Sequence, residues 1–224
     1  QHPVHRADPD RYLCSVRQLP DHAACAGYVY GLKVAASLLQ NSNERYALVI
    51  GSEQISTRLD MEDRNTCVLF GDGAGATVIE LKEGTELYSV WGSEGLTDVL
   101  GCTGQNMGKA HIFMDGQKTF KNAVKRMGSA AAEVLEQSGY TMDDIDYVVC
   151  HQANERIIDA VVKRMDIPEE KVVKVIARYG NTSAASIPIA LDEMYEQGML
   201  EKGNRLLLAT FGAGFTWASM IVEI

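Results

Sequence analysis

The chain nearly repeats itself, and that repetition limits its fold more than any other feature. Cys25-Ala26-Gly27 opens an apolar-periodic segment about 20 residues before a short apolar run at 46–50, and Ser183-Ala184-Ala185 opens another a similar distance before a run at 205–210. Phe70-Gly-Asp-Gly-Ala-Gly then answers to Phe211-Gly-Ala-Gly-Phe, and each leads into a closing run, at 77–81 and 216–222. Helix, strand, glycine loop and strand therefore occur twice. Two copies are too few to stack as a solenoid, so the pattern reads as one duplicated α/β unit.

Periodicity fills in the elements. From Cys25 onward Val29, Leu32, Ala36 and Leu39 are spaced by three and four, which puts them on one face of a helix that Asn41-Ser42-Asn43 ends. The continuous apolar runs at 46–50 and 66–70 are expected as strands covered on both faces. Residues 71–76 are expected as a tight turn with close backbone approach, followed by a strand at 77–81. Residues 82–116 are glycine-rich and irregular, an excursion containing a hairpin. A helix is expected over 117–137, with Phe120, Val124, Met127 and Val134 or Leu135 inward and Gly139 placed to stop it. Residues 145–150 read as a buried strand, and 155–165 as a helix with Ile158, Val161, Val162 and Met165 on its apolar side. Residues 182–197 read as a further helix, and 1–22 as loop or distorted strand.

Composition excludes several classes. At 224 residues, 46% hydrophobic and 23% charged, the chain can bury a large core, unlike disordered or fibrous sequences. A net charge of -9 opposes broad contact with nucleic acid and leaves room only for a local basic patch. Five cysteines, at 14, 25, 67, 102 and 150, are odd in number and lack a repeated Cys-x-x-Cys spacing, so neither a disulfide framework nor a zinc site is indicated. No run approaches the roughly 18 apolar residues of a membrane span. The N-terminus also lacks the apolar stretch of a signal peptide. The expectation is a cytoplasmic protein without metal, membrane or nucleic-acid partners.

Three side chains stand where reactive groups are useful. Cys25 lies among Ala24, Ala26 and Gly27 at a helix start, where small neighbours admit a substrate carbonyl and unpaired N–H groups favour a thiolate. Its other reading is an ordinary buried cysteine, which suits Cys67 and Cys150. His151 leaves the end of an apolar strand, where a polar ring needs a partner or a job. His2, His5, His22 and His111 lie in loops and read as solvated. Asn181 is either a helix N-cap or a second donor beside the imidazole. Gly212-Ala213-Gly214 is either a tight connection or a loop that presents a backbone N–H to a reacting oxygen, and Asp72-Gly73 reads as a turn.

At these motifs the chain resembles the later part of the β-ketoacyl-[acyl-carrier-protein] synthase III family of thiolase-fold condensing enzymes. The match runs from about residue 23 to the end. It includes Ala-Ala-Cys-Ala-Gly-Tyr-Val-Tyr-Gly-Leu, Asp-Arg-Asn-Thr-Cys-Val-Leu-Phe-Gly-Asp-Gly-Ala-Gly-Ala, His-Gln-Ala-Asn-Glu-Arg-Ile, Tyr-Gly-Asn-Thr-Ser-Ala-Ala-Ser-Ile-Pro and Phe-Gly-Ala-Gly-Phe-Thr-Trp. The resemblance implies a thiolase-like α/β fold of two duplicated halves with mixed five-stranded sheets. Residues 1–116 would be what is present of the N-terminal half, carrying the nucleophile, and 117–224 the C-terminal half, carrying His and Asn.

The resemblance also implies a reaction. A short acyl-CoA, commonly acetyl-CoA, would acylate Cys25, and the acyl group would accept the carbanion left by decarboxylation of malonyl-acyl carrier protein, initiating fatty acid synthesis. His151 and Asn181 would donate hydrogen bonds to the thioester oxygen as enolate charge develops. The backbone N–H groups of Cys25 and Ala213 would hold the oxyanion at the acyl-cysteine. The Cys-His-Asn set resembles the initiating branch rather than the elongating synthases, and no cofactor is implied beyond the acyl-CoA substrate. Arg64, Asn154 and Arg156 correspond to positions lining the CoA and pantetheine entrance, where arginine pairs well with phosphate. Lys121, Arg156, Lys163 and Arg164 would dock the acidic carrier protein, the alternative being a plain solvated face. The family also implies a homodimer.

Two departures bear on this. Family members carry further residues before this start, and Pro20, Asp21 and His22 stand where an apolar strand normally approaches the cysteine. The expectation is therefore that the chain alone is poorly active or completes its pocket with another chain. Competing functions are a polyketide starter synthase or a cysteine acyltransferase using the same residues, and a non-catalytic binding or assembly remnant.

Overall fold

A small-residue turn and a helix open the described part of the chain as the spacing predicts. The computed structural model describes residues 23–82, 84, 86–102 and 111–224, so the readings made for 1–22, including Pro20, Asp21 and His22, lie outside the described residues. A 3-10 turn, Ala24–Ala26, leads into α1 (Gly27–Gln40), which buries Tyr28, Val29, Leu32, Ala36 and Leu39. β1 (Tyr46–Glu53) and β2 (Gly73–Glu80) pair antiparallel from Tyr46↔Glu80 to Glu53↔Gly73. β3 (Ser89–Ser93) follows, then the antiparallel pair β4 (Leu100–Cys102) and β5 (Ile112–Met114) within the expected excursion. α2 (Gly116–Ser138) starts where the Asp115 carboxylate accepts from Lys118 N at 3.0 Å and stops at Gly139, whose φ is 72°. β6 (Tyr147–Cys150), α3 (Glu155–Met165) and the short α4 (Ile176–Tyr179) come next. The second copy then runs through the 3-10 turn Ser183–Ala185, α5 (Ser186–Glu196), β7 (Arg205–Gly212) and β8 (Thr216–Glu223).

The copies match in backbone detail as well as in order. Both turns carry a non-glycine residue at positive φ, Ala24 at 47° and Ser183 at 52°, and β7–β8 pair antiparallel as β1–β2 do. The main sheet has the order β3-β8-β7-β6, with β6 and β7 parallel and the other pairs antiparallel. Alternation along β7 sends Leu206 and Leu208 towards α1 and α5, and Leu207 and Ala209 towards α2 and α3. On the far side α5 and α1 pack against β1–β2. The layers are thus α2/α3, main sheet, α1/α5, small sheet.

Several expectations change. β1 is not covered on both faces: Val49 points at α1 and α5, while Tyr46, Leu48 and Ile50, with Val78 of β2, are more than half exposed. Residues 66–70 are not a strand, because Asp63 winds the chain into a turn by accepting from Asn65 N at 3.0 Å and Thr66 Oγ1 at 2.9 Å; only Phe70 makes a bridge, to Asn181. The glycines of 71–76 are not all turn, since β2 begins at Gly73. They are small because α5 and the end of α4 approach them as closely as expected: a Cβ at Gly75 would fall 2.9 Å from Pro188 Cβ, and one at Gly71 would fall 2.5 Å from Tyr179 O. On α2 the inward side is Thr119, Ala123, Met127, Ala130, Ala131 and Val134, with Phe120 turned out. On α3 it is Ile157, Ile158 and Val161, with Val162 and Met165 only partly covered. The expected five-stranded sheets appear among the described residues as four strands plus a parallel bridge, Val148↔Val172, and as two strands.

Candidate active site

Cys25 is the middle residue of the first turn, clamped from the second half of the molecule. Thr216 Oγ1 donates to Ala23 O at 2.9 Å, and Gly212 comes so near that a Cβ there would lie 2.8 Å from the Cys25 nitrogen. Glycine at 212 is thus a steric requirement of the Cys25 turn. N–H groups at such a start have no acceptor within their own helix. The expected lowering of the thiol pKa is not what results. Burial pushes the Cys25 thiol up to about 11, outweighing a Ser183 side-chain hydrogen bond that pulls it down, and the Glu53 carboxylate adds to the rise. The residue as a whole is only half-buried, because one side faces a cavity.

His151 is delivered by the main sheet. Its N–H donates to Ala209 O at 2.8 Å, extending the β6–β7 ladder by one residue, and its side chain is 1% exposed. Burial holds the imidazole pKa down at about 4, so the ring is neutral at pH 7 and carries a single proton. Nδ1 lies 2.7 Å from Ser186 Oγ, at the start of α5. The neighbouring Gln152 is fully used: Nε2 donates to Cys150 O and Val173 O, and Oε1 accepts from Val175 N and Ile176 N. That amide ties the 173–176 strap to the strand end that carries the ring.

Asn181 is not the N-cap itself but stands one residue before it. Thr182 takes the N-cap position of the turn Ser183–Ala185, and Asn181 Oδ1 accepts from Ser183 N at 2.9 Å in an Asx-type bond. With the oxygen end committed to the turn, Nδ2 is the end left to donate elsewhere. The backbone is held as firmly, since Asn181 N donates to Leu69 O and Gly71 N to Asn181 O, both at 2.9 Å. Gly180 permits this with φ 67°.

Cys25, His151, Asn181, Ser183 and Ala213 all line one cavity of about 950 Å³. Leu69, Phe70, Phe120, Ile157 and Phe211 supply apolar wall, which explains why Phe120 is absent from the core. Asn154 and Arg156 also line it, whereas Arg64 is exposed and does not. Arg58 lines the cavity instead, at the end of the 3-10 turn Ile55–Arg58. Asp72 anchors that turn by accepting from Ser56 N at 2.7 Å and Ser56 Oγ at 2.6 Å, bonds that hold its carboxyl below the ordinary range. Sequence reasoning passed over Arg58, which carries no motif, and read Asp72 as a turn residue. Lys121 on α2 and Lys163 and Arg164 on α3 are exposed on adjoining helices, and the Arg164 stem covers Gly128. Among the described residues no group of three His, Cys, Asp or Glu is placed to hold a metal ion, and no helix is long and apolar enough to cross a membrane.

Residues 22–95 match the family described as 3-oxoacyl-[acyl-carrier-protein (ACP)] synthase III, and residues 135–224 match the one described as its C terminal part. The crystal structure of 3-oxoacyl-[acyl-carrier-protein] synthase III from Aquifex aeolicus VF5 is similar with a TM-score of 0.87 and 40% identity, over 94% of this chain and 68% of that one. The chain belongs to the β-ketoacyl-[acyl-carrier-protein] synthase III family. The synthase III of Caldanaerobacter subterraneus subsp. tengcongensis is 45% identical over 215 residues, which are 89% of this chain and 64% of that protein. A priming β-ketosynthase from the R1128 polyketide biosynthetic pathway is similar with a TM-score of 0.83 and 36% identity, over 90% of this chain and 64% of that one. The chain thus spans about 65% of the length of the curated relatives it matches, and within that span the thiolase-like family fold is complete enough to bring all three motif residues to one cavity.

Proposed function

We propose that the chain performs the decarboxylative condensation of a synthase III, joining a short acyl-CoA, foremost acetyl-CoA, to malonyl-acyl carrier protein. The observation that carries this is one cavity lined by a thiol, a neutral imidazole and an oriented carboxamide. In the first half-reaction the Cys25 sulfur attacks the acyl-CoA carbonyl, the bond to the CoA sulfur breaks, and the thiol proton ends on released CoA. Backbone N–H groups of Cys25 and Ala213 stabilise the transient oxyanion. In the second, malonyl thioester loses carbon dioxide, and the electron pair left behind is held as an enolate by hydrogen bonds from His151 and Asn181. The enolate carbon attacks acyl-Cys25 and expels the sulfur as a thiolate, which takes up one proton from solvent. A neutral His151 suits this step because it donates without adding a charge to a buried site.

Arg58, Arg156 and Asn154 fit the phosphate-bearing and pantetheine parts of the substrates, and the exposed Lys121, Lys163 and Arg164 fit an acidic carrier protein. A homodimer in a reducing cytoplasm belongs to the same reading. Likeness to a priming ketosynthase of a polyketide pathway supports a second reading in which the same chemistry starts a polyketide. The test is intact-mass measurement after incubation with acetyl-CoA. An acetyl adduct that disappears in Cys25→Ala is expected; an adduct that survives this substitution rejects Cys25 as nucleophile, and none on the native chain rejects the acylation step.

A further inference from the structure

The cavity accounts for one end of the His151 ring and leaves the other unexplained. Nδ1 sits 2.7 Å from Ser186 Oγ, and the same oxygen accepts from Gln152 N at 3.2 Å. A hydroxyl offers one proton and two lone pairs. With the Gln152 N–H on one lone pair, either Nδ1–H donates to the second, or the Ser186 O–H donates to Nδ1. In the first arrangement the Ser186 proton is buried, at 2% exposure, without an acceptor among the described hydrogen bonds, at a cost of about 1–3 kcal/mol. A helical serine's usual outlet, a carbonyl of the preceding turn, is not among its bonds either. In the second arrangement every polar atom of the trio is used, and the ring's one proton resides on Nε2.

We propose that Ser186 is a positioning residue that sets the tautomer of His151, holding Nδ1 as an acceptor so that Nε2–H is the donor offered to the cavity. Ser186 is the first residue of α5, and its neighbours Ile187 and Ala185 are fully buried, so the hydroxyl is held in place by the core rather than by substrate. One element therefore does two jobs: the entry to α5 orients the Asn181 amide through Ser183 N and the imidazole through Ser186 Oγ. Both donors of the proposed enolate site depend on a single turn. The catalytic consequence rests on the proposed condensation; the tautomer does not.

The experiment is nitrogen NMR of protein carrying isotope-labelled histidine, with His151 assigned by its loss in His151→Gln, alongside the rate of malonyl-thioester decarboxylation. The native ring is expected to show Nε2 protonated and Nδ1 bare. Ser186→Ala is expected to populate the Nδ1–H form and to slow decarboxylation about tenfold or more, by a larger factor than it slows Cys25 acylation. Ser186→Thr, which keeps the hydroxyl, is expected to restore both the spectrum and the rate. A native ring protonated on Nδ1 overturns the proposal, as does a Ser186→Ala protein that keeps the native tautomer. If Ser186→Ala does not fold, the native spectrum and that of Ser186→Thr decide. A native Nε2–H signal in a protein that never decarboxylates malonyl thioester supports the role of Ser186 and overturns the proposed function.

Discussion

The two copies of the same unit lie at different depths. β7 buries seven of its eight residues and β1 only two, although both read as short apolar strands. The turns that precede them share a positive-φ residue, yet Cys25 follows it in the first copy and Ala184 in the second. One backbone device thus serves two purposes. In the first copy it exposes a sulfur to the cavity. In the deeper one it fixes the entry of a helix from which an amide and an imidazole are oriented. On the proposed function, donors that must not reorganise as charge develops gain from the more deeply buried half, whereas a nucleophile needs access.

If this division holds, substitutions should separate by half. His151→Ala or Asn181→Ala is expected to slow malonyl-thioester decarboxylation about 10²–10³-fold while acylation of Cys25, followed by intact mass, survives in larger part. Equal loss of both steps would erase the distinction. Stability should divide the same way: Leu208→Ala in β7 is expected to cost about 2–5 kcal/mol in denaturant unfolding, and Leu48→Ala on the bare face of β1 no more than about 0.5 kcal/mol.

Titration compares the two halves more gently. With the Cys25 thiol at about 11, its thiolate fraction grows tenfold per pH unit below that value, so alkylation at Cys25 between pH 7 and 9 should rise about a hundredfold. A small thiol in the same tube, with a pKa of about 8.5, should rise only about 25-fold over that range and flatten towards its upper end. Site-resolved mass mapping reads the difference. For His151 the folded value of about 4 lies below the ordinary 6.5, so the unfolded chain binds the proton more readily. Its contribution to stability is therefore complete above about pH 6.5 and declines as pH falls towards 4. Between pH 6.5 and 5.5 the loss should stay under about 1 kcal/mol and should be absent in His151→Gln, as measured by the denaturation midpoint.

Much of the site was legible because short motifs carry both chemistry and local geometry. Cys25, His151 and Asn181 each stand at the boundary of an element, where alternating or helical periodicity stops and an apolar environment gives way to a polar side chain. Periodicity also located α1, α3, β7 and β8 closely. It failed at 66–70, where an apolar run is bent by the hydrogen bonds of Asp63; at 71–76 the close backbone approach read from the glycines is present, but β2 already begins at Gly73 where a turn was expected. Arg58 stood in no recognisable pattern, and Ser186, although inside the motif that runs from Tyr179 to Pro188, carried no legible role there, because its partner lies far along the chain: Ser186 and His151 are 35 residues apart.

From its residues alone the chain determines a duplicated α/β unit, its family and the three groups proposed to react, since spacing and motif are properties of neighbours in sequence. Tertiary structure decides which of those groups share a cavity, how far burial moves their protons, which arginine reaches the wall and which serine holds the ring. Those outcomes depend on desolvation and on contacts across layers, and neither quantity exists until the layers have packed.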